Sequence, residues 1–187
     1  MSVESNVKAA NPGPLGLLGF GMTTVLLNLH NAGLLPLNIA IVAMGIALGG
    51  LAQIIAGVRE LKQGNTFGGT AFTAYGLFWW SLVLIWVNPF SGIESASPVA
   101  MGYYLLLWGI FTAFMFVGTL KHNRATQVVF GTLTVLFFLL AISDFTGSHL
   151  IHTIAGIEGI FCGLSAIYSA MGQIINGEFG KKIIPLG

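Results

Sequence analysis

Six long apolar runs, at roughly residues 13–32, 37–58, 69–88, 99–120, 125–143 and 149–176, leave this chain few ways to fold. A helix needs about 20 mainly apolar residues to cross a bilayer, and every run is close to that length or longer. The runs are continuous rather than alternating, so helices are expected and not the strands of a membrane barrel. Only 7% of the residues are charged and the mean hydropathy is +0.87, where a soluble domain carries about 25% charge. The breaks read NAGLLPLN, RELKQGNTFGG, NPFSGIESASP, KHNR and DFTGSH, each with the Gly, Pro, Asn or charge that ends helices. They are too short to hold a soluble domain. The expected fold is therefore an all-α membrane protein, a six-transmembrane-helix bundle forming one domain over residues 1–187 with a polar tail at 1–10. The last run is long enough to tilt or to project from the bilayer.

Charge orients the bundle. Lys8, Arg59, Lys62, Lys121, Arg124, Lys181 and Lys182 all fall on one side of a six-span path, whereas the other side carries Glu94 and Asp144 and no Lys or Arg. Cytoplasmic loops are the basic ones, which makes both termini cytoplasmic. A five- or seven-span path would scatter these charges. The opening MSVESNVKAA lacks a basic region followed by a cleavage motif, so no cleaved signal peptide is expected. A net charge of +1 with no basic patch excludes nucleic acid as a partner. The one cysteine, Cys162, leaves no intrachain disulfide and no Cys-rich zinc site. Trp79, Trp80, Trp86, Tyr103 and Tyr104 lie near span ends and are expected to form an interfacial belt.

Small and polar residues recur along defined helix faces. At 100° per residue, Gly13, Gly16, Phe20, Thr24, Asn28 and Asn31 share about a third of the first helix's circumference. Gly45, Gly49, Gln53 and Gly57 repeat every four residues on the second, as Gln127, Gly131 and Thr134 nearly do on the fifth. Glu158, Cys162, Ser165, Ser169 and Gln173 share a broad side of the sixth. Close packing accounts for Gly45-xxx-Gly49 and Gly159-xxx-Gly163. It accounts less well for Asn28, Gln53 and Glu158, which are costly in hydrocarbon without partners or water. A narrow, partly polar route through the bundle is the alternative. Glu158, about 14 Å along the last helix, is the one acid deep in a span; it either relays protons or bonds a neighbouring helix. Asp144, His149 and His152 surround the outer connection between spans five and six. Their ligand set is incomplete for a metal, and a solvated vestibule with pH-sensitive charge is expected instead.

No G-x-S-x-G, H-E-x-x-H, P-loop or Rossmann fingerprint occurs. Neither an ATP-driven motor nor an enzyme is expected, and no cofactor or metal is called for. Passive or ion-coupled movement of a small solute remains. A scaffold or sensor would leave the polar faces without a purpose.

The segment NPGPLGLLGFGMTTVLLNLHN at 11–31 resembles the N-terminal signature of the acetate uptake transporters, also called succinate–acetate permeases. Gly13 stands where that family usually has alanine. GNTFGGTAFTAYGLFW (64–79), FMFVGTLK (114–121), LTVLF (133–137) and CGLSAIYSAMG (162–172) extend the resemblance over nearly the whole chain. It implies import of acetate, and often succinate, with proton coupling or through a channel, across the inner (plasma) membrane. It also implies one pore per protomer and a homohexamer, and the chain's length fits the prokaryotic members. The family's hydrophobic constriction maps onto Phe20, Tyr75 and Leu133, and a small position bearing on acid size onto Ala166. Asn28 and Gln53 then become polar contacts flanking the gate, with Thr24, Asn31 and Thr73 further along the substrate path and Glu158 the proton-coupling candidate. The competing expectation is an uncoupled channel for small carboxylate anions or for neutral solutes such as urea. Within the signature, Asn11 is expected to cap the first helix, with Pro12 at its first position and Pro14 in its first turn.

Overall fold

The computed structural model describes residues 10–187, so Lys8 and most of the polar tail lie outside the described residues. Six long helical segments follow: α1 (Gly13–Asn31), α2 (Ile39–Lys62), α3 (Thr66–Val87), α4 (Pro98–Lys121), α5 (Arg124–Thr146) and α6 (His149–Phe179). The last turn of α4 is a 3-10 turn. By length and composition α2 to α6 can cross a membrane. Helix α1, 19 residues rich in glycine and asparagine, is not among them. Local chemistry sets most of the ends. Asn65, Ser97, Asn123 and Ser148 cap α3 to α6, their side chains accepting from the N–H three residues on. Asn88, Gly147 and Gly180 close α3, α5 and α6 in the left-handed region. The start of α1 is one residue later than expected. Pro12 occupies the cap position, while Asn11 Oδ1 accepts from Gly13 N at 2.9 Å, so the asparagine still satisfies an orphan donor from outside the helix.

The helices close into a ring in the order α1, α2, α3, α4, α5, α6 and back to α1. The α1–α6 seam depends on glycine: a Cβ on Gly21 would strike the Gly163 carbonyl, and one on Gly163 would strike that of Gly21. The α3–α4 seam is sparser and is tied by hydrogen bonds. Tyr75 Oη donates to Thr112 Oγ1 (2.9 Å), Tyr104 Oη donates to the Phe78 carbonyl (3.2 Å), and Ser81 Oγ lies 2.6 Å from Tyr104 Oη.

Two features depart from expectation. The middle of α2, Gly45–Ala52, is π-helical. The indole N–H of Trp80 donates to the Ile46 carbonyl (3.0 Å) and Gln53 Nε2 to the Gly49 carbonyl (2.7 Å), so side chains serve acceptors of the widened turn. The second departure is Trp79, expected at the interface but only 2% exposed, its ring against the bare Cα of Gly49. Tyr104 is half-buried between helices and Trp86 lines a cavity, leaving Trp80 and Tyr103 as the exposed members of the expected belt.

Both ends of the described chain meet at one end of the ring. Gln63 Nε2 donates to the Ala10 carbonyl (2.9 Å), Asn11 Nδ2 to Gln173 Oε1 (3.0 Å), and Ala125 N to the Leu186 carbonyl (2.9 Å). All six described cations flank these contacts, at the end of α2, the α4–α5 turn and the tail after α6.

Candidate conduction pathway

Four cavities run along the inside of the ring, and neighbouring cavities share walls. A mouth of about 330 Å³ opens beside Ser143, Asp144, Ser148, His149 and His152. Asp144 and His152 also line an outer vestibule of about 220 Å³, with His30, Asn31, Leu37 and Trp86. A middle cavity of about 30 Å³ holds Thr24, Asn28 and Trp79. An inner cavity of about 20 Å³ holds Leu17, Gln53, Phe72 and Phe130.

Phe20, Tyr75 and Leu133 line both the inner and the middle cavity, so they form the partition between them. They are 6%, 4% and 3% exposed, and the Phe20 and Tyr75 rings lie 6.2 Å apart. Tyr75 is held by its bond to Thr112, whose hydroxyl in turn donates to the Trp108 carbonyl at 2.7 Å. The phenol is thus tied to the wall, and the ring faces the partition.

The partition is apolar but its two sides are not. Thr24 Oγ1 and Trp79 Nε1 beside the middle cavity, and Gln53 Oε1 beside the inner one, are buried with no protein partner. Such groups are costly unless something polar visits them. On α1 the amides form a ladder, with Asn31 Nδ2 donating to Asn28 Oδ1 (3.0 Å) and Asn28 Nδ2 to the Thr24 carbonyl (2.9 Å). Gly159 on α6 leaves room for the Asn28 amide, which a Cβ there would overlap.

Three of the residues singled out from sequence lie elsewhere. Thr73 Oγ1 is buried against Gly57 at the α2–α3 seam, Ala166 is fully buried in the α6 wall, and Glu158 is half-buried on α6 with Oε2 unpartnered. None of them lines these four cavities. Among the described residues no group of three or more His, Cys, Asp or Glu is placed to hold a metal.

A second partition went unnoticed in the sequence. Leu27, Phe78 and Leu140 line both the middle cavity and the vestibule. They follow Phe20, Tyr75 and Leu133 by seven, three and seven positions, so they repeat the first ring on the same helix faces one or two turns outward. That spacing was the available signal.

The profile of the GPR1/FUN34/yaaH family matches residues 1–184. The chain belongs to this family. Among its GPR1/FUN34/yaaH relatives, the succinate-acetate/proton symporter SatP of Escherichia coli (strain K12) is 56% identical over 97% of both chains. An uncharacterized protein of Methanothermobacter thermautotrophicus is 57% identical over 95% of this chain and 91% of its own. The ammonia transport outward protein 2 of Saccharomyces cerevisiae is 40% identical, over 89% of this chain and 62% of its own. The solved structure of the bacterial acetate channel SatP superimposes with a TM-score of 0.94 at 56% identity, covering 96% of this chain and all of that one. With that match and its long apolar helices, the GPR1/FUN34/yaaH chain is an all-helical, multi-pass membrane protein.

Proposed function

We propose that this protein moves acetate, succinate and related small carboxylates across a prokaryotic inner membrane and catalyses no reaction. Its protomer carries one pore, six spans and cytoplasmic termini, and the protomers assemble as a homohexamer. The observation that carries the reading is the Phe20–Tyr75–Leu133 partition, apolar itself but flanked by the unpartnered atoms Thr24 Oγ1, Gln53 Oε1 and Trp79 Nε1. A carboxylate loses most of its hydration in such a neck, whereas the neutral acid loses far less. Polar atoms on either side receive the solute before and after, and the aromatic–aliphatic ring sets the size limit. Sequence identity and structural likeness to SatP support acetate as the solute.

Transport is coupled to protons in this reading, with Glu158 the candidate carrier named by sequence. Glu158 lies outside the four cavities, and in a second reading it takes no part and passage of the anion, or of neutral solutes such as urea, is uncoupled. Acetate flux into proteoliposomes against pH, for wild type and Glu158→Gln, separates the two. An unchanged proton dependence in the variant removes Glu158 from the coupling.

A further inference from the structure

A cavity of about 560 Å³, larger than any along the pathway, lies in the groove between α5 and α6. It shares no lining residue with the pathway. Val128 of α5 and Phe161, Leu164 and Tyr168 of α6 form its walls, and all four are exposed, so the groove opens sideways from the ring. In a bilayer its surroundings are acyl chains. Its hydroxyls are spent on the protein: Ser165 Oγ donates to the Cys162 carbonyl (2.7 Å) and Tyr168 Oη to the Pro185 carbonyl (2.6 Å). The walls therefore present hydrocarbon. From Tyr168 to Phe161 the groove follows α6 for about 10 Å. One leaflet offers about 15 Å of hydrocarbon, half the thickness of the bilayer core, so the upper part of one acyl chain fits this length.

The inner end of the groove is built by the tail after α6. Ala125 N donates to the Leu186 carbonyl (2.9 Å), and Leu186 packs over Gly172, where a Cβ would meet it. Asn176 holds the same tail, Oδ1 accepting from Ile183 N (2.7 Å) and Ile184 N (2.9 Å), Nδ2 donating to the Ile184 carbonyl (2.8 Å). Arg124 stands at this end, with Gly187 against its stem. Its guanidinium donates to Gln127 Oε1 (3.1 Å), a neutral partner, so that bond leaves the positive charge in place. Lys121 precedes it in the α4–α5 turn, and Lys181 and Lys182 lie in the tail.

Charge decides what the groove suits. A second copy of this chain would bring another basic inner end, where the described residues carry six cations against the exposed Glu178 and Glu60, which is buried and bonded to Asn65. Like charges would meet. An acidic lipid brings an anion for the arginine and hydrocarbon for the walls together. We propose that the α5–α6 groove binds an anionic phospholipid, its phosphate on Arg124 and one acyl chain along Val128, Leu164 and Phe161, with residues 183–187 closing the inner end. The site is independent of what the pore conducts.

Native mass spectrometry of the full-length protein, titrated with phosphatidylglycerol or with phosphatidylcholine of the same chains, tests this. Wild type should hold its first phosphatidylglycerol about fivefold more tightly than its first phosphatidylcholine. Glycerol phosphate, the headgroup without chains, should not displace it. Arg124→Gln should lose the preference and bind phosphatidylcholine as wild type does, whereas Leu164→Trp, which fills the groove, should weaken both lipids. An Arg124→Gln protein that keeps the preference, displacement by glycerol phosphate, or a folded Leu164→Trp protein that binds both lipids as wild type does overturns the proposal. A Leu164→Trp protein whose assembly breaks into smaller species in the same spectra assigns the groove to a second copy, and overturns it too. Should Leu164→Trp fail to fold, Arg124→Gln, a change on an exposed side chain, decides alone.

Discussion

The two ends of the bundle solve the same problem, an apolar chain meeting water, with different charges. The inner end, as proposed, holds all six described Lys and Arg and a set of amide and carboxylate bonds: Asn11 to Gln173, Gln63 to Ala10, and Asn65 Nδ2 to Glu60 Oε2 at 2.7 Å. Those charges are permanent, and they fix which way the chain sits in the bilayer. The outer end has no Lys or Arg and instead lines its cavities with His30, His152 and Asp144. Fixed charge suits a role set once, at insertion. Titratable charge suits a role repeated in every transport cycle. Between the ends lie two apolar rings, the outer of which faces the cavity that holds the titratable groups.

Perturbing the rings should give the largest effects. Leu133→Ala removes a branched side chain from the inner ring and should admit larger acids such as lactate, raising their uptake relative to acetate about tenfold, read by competition in proteoliposomes. An unaltered profile with intact folding would take Leu133 out of the gate. Leu140→Ala opens the outer ring, which stands beside the much larger vestibule, and should change the same profile less. If Leu140→Ala has the greater effect, the outer ring and not the inner one is the limiting neck. Thr112→Val leaves the Tyr75 hydroxyl without its partner and should destabilise the α3–α4 seam by about 1 kcal/mol, visible as a lower thermal midpoint. The smallest effect is expected from Lys181→Gln/Lys182→Gln at the inner end: acetate flux should keep the wild-type pH dependence. A flattened profile there would break the contrast between the two ends.

Much of this architecture is legible in the sequence because lipid imposes it. Helices α2 to α6 had to be apolar and long enough to span, and all six expected segments lie within a few residues of the observed ends. Features that depend on what a neighbouring helix offers were harder to see. Trp79 reads as an interfacial residue until Gly49 on α2 is seen to make room for it, and the π turn of Gly45–Ala52 needs Trp80 from α3 to serve its carbonyl. The gate has a similar history. Helical periodicity alone places Phe20, Tyr75 and Leu133 on three separate faces, and only the family resemblance gathered them beforehand. Leu27, Phe78 and Leu140 sit in register with them, but that register has meaning only once the first ring is known. Glu158 drew attention as an acid inside a span, yet helix spacing could not tell a pathway face from a wall.

The central claim, that small carboxylates cross at the Phe20–Tyr75–Leu133 neck, is tested most directly by the initial rate of labelled acetate uptake into proteoliposomes, corrected for protein-free vesicles. Wild type and Leu133→Trp are compared, each with and without an inward proton gradient. Wild type should take up acetate faster than empty vesicles, faster still with the gradient, and Leu133→Trp, folded but with its neck filled, should fall to the protein-free rate. Wild-type uptake no faster than that of empty vesicles, or a folded Leu133→Trp protein as fast as wild type, would contradict it.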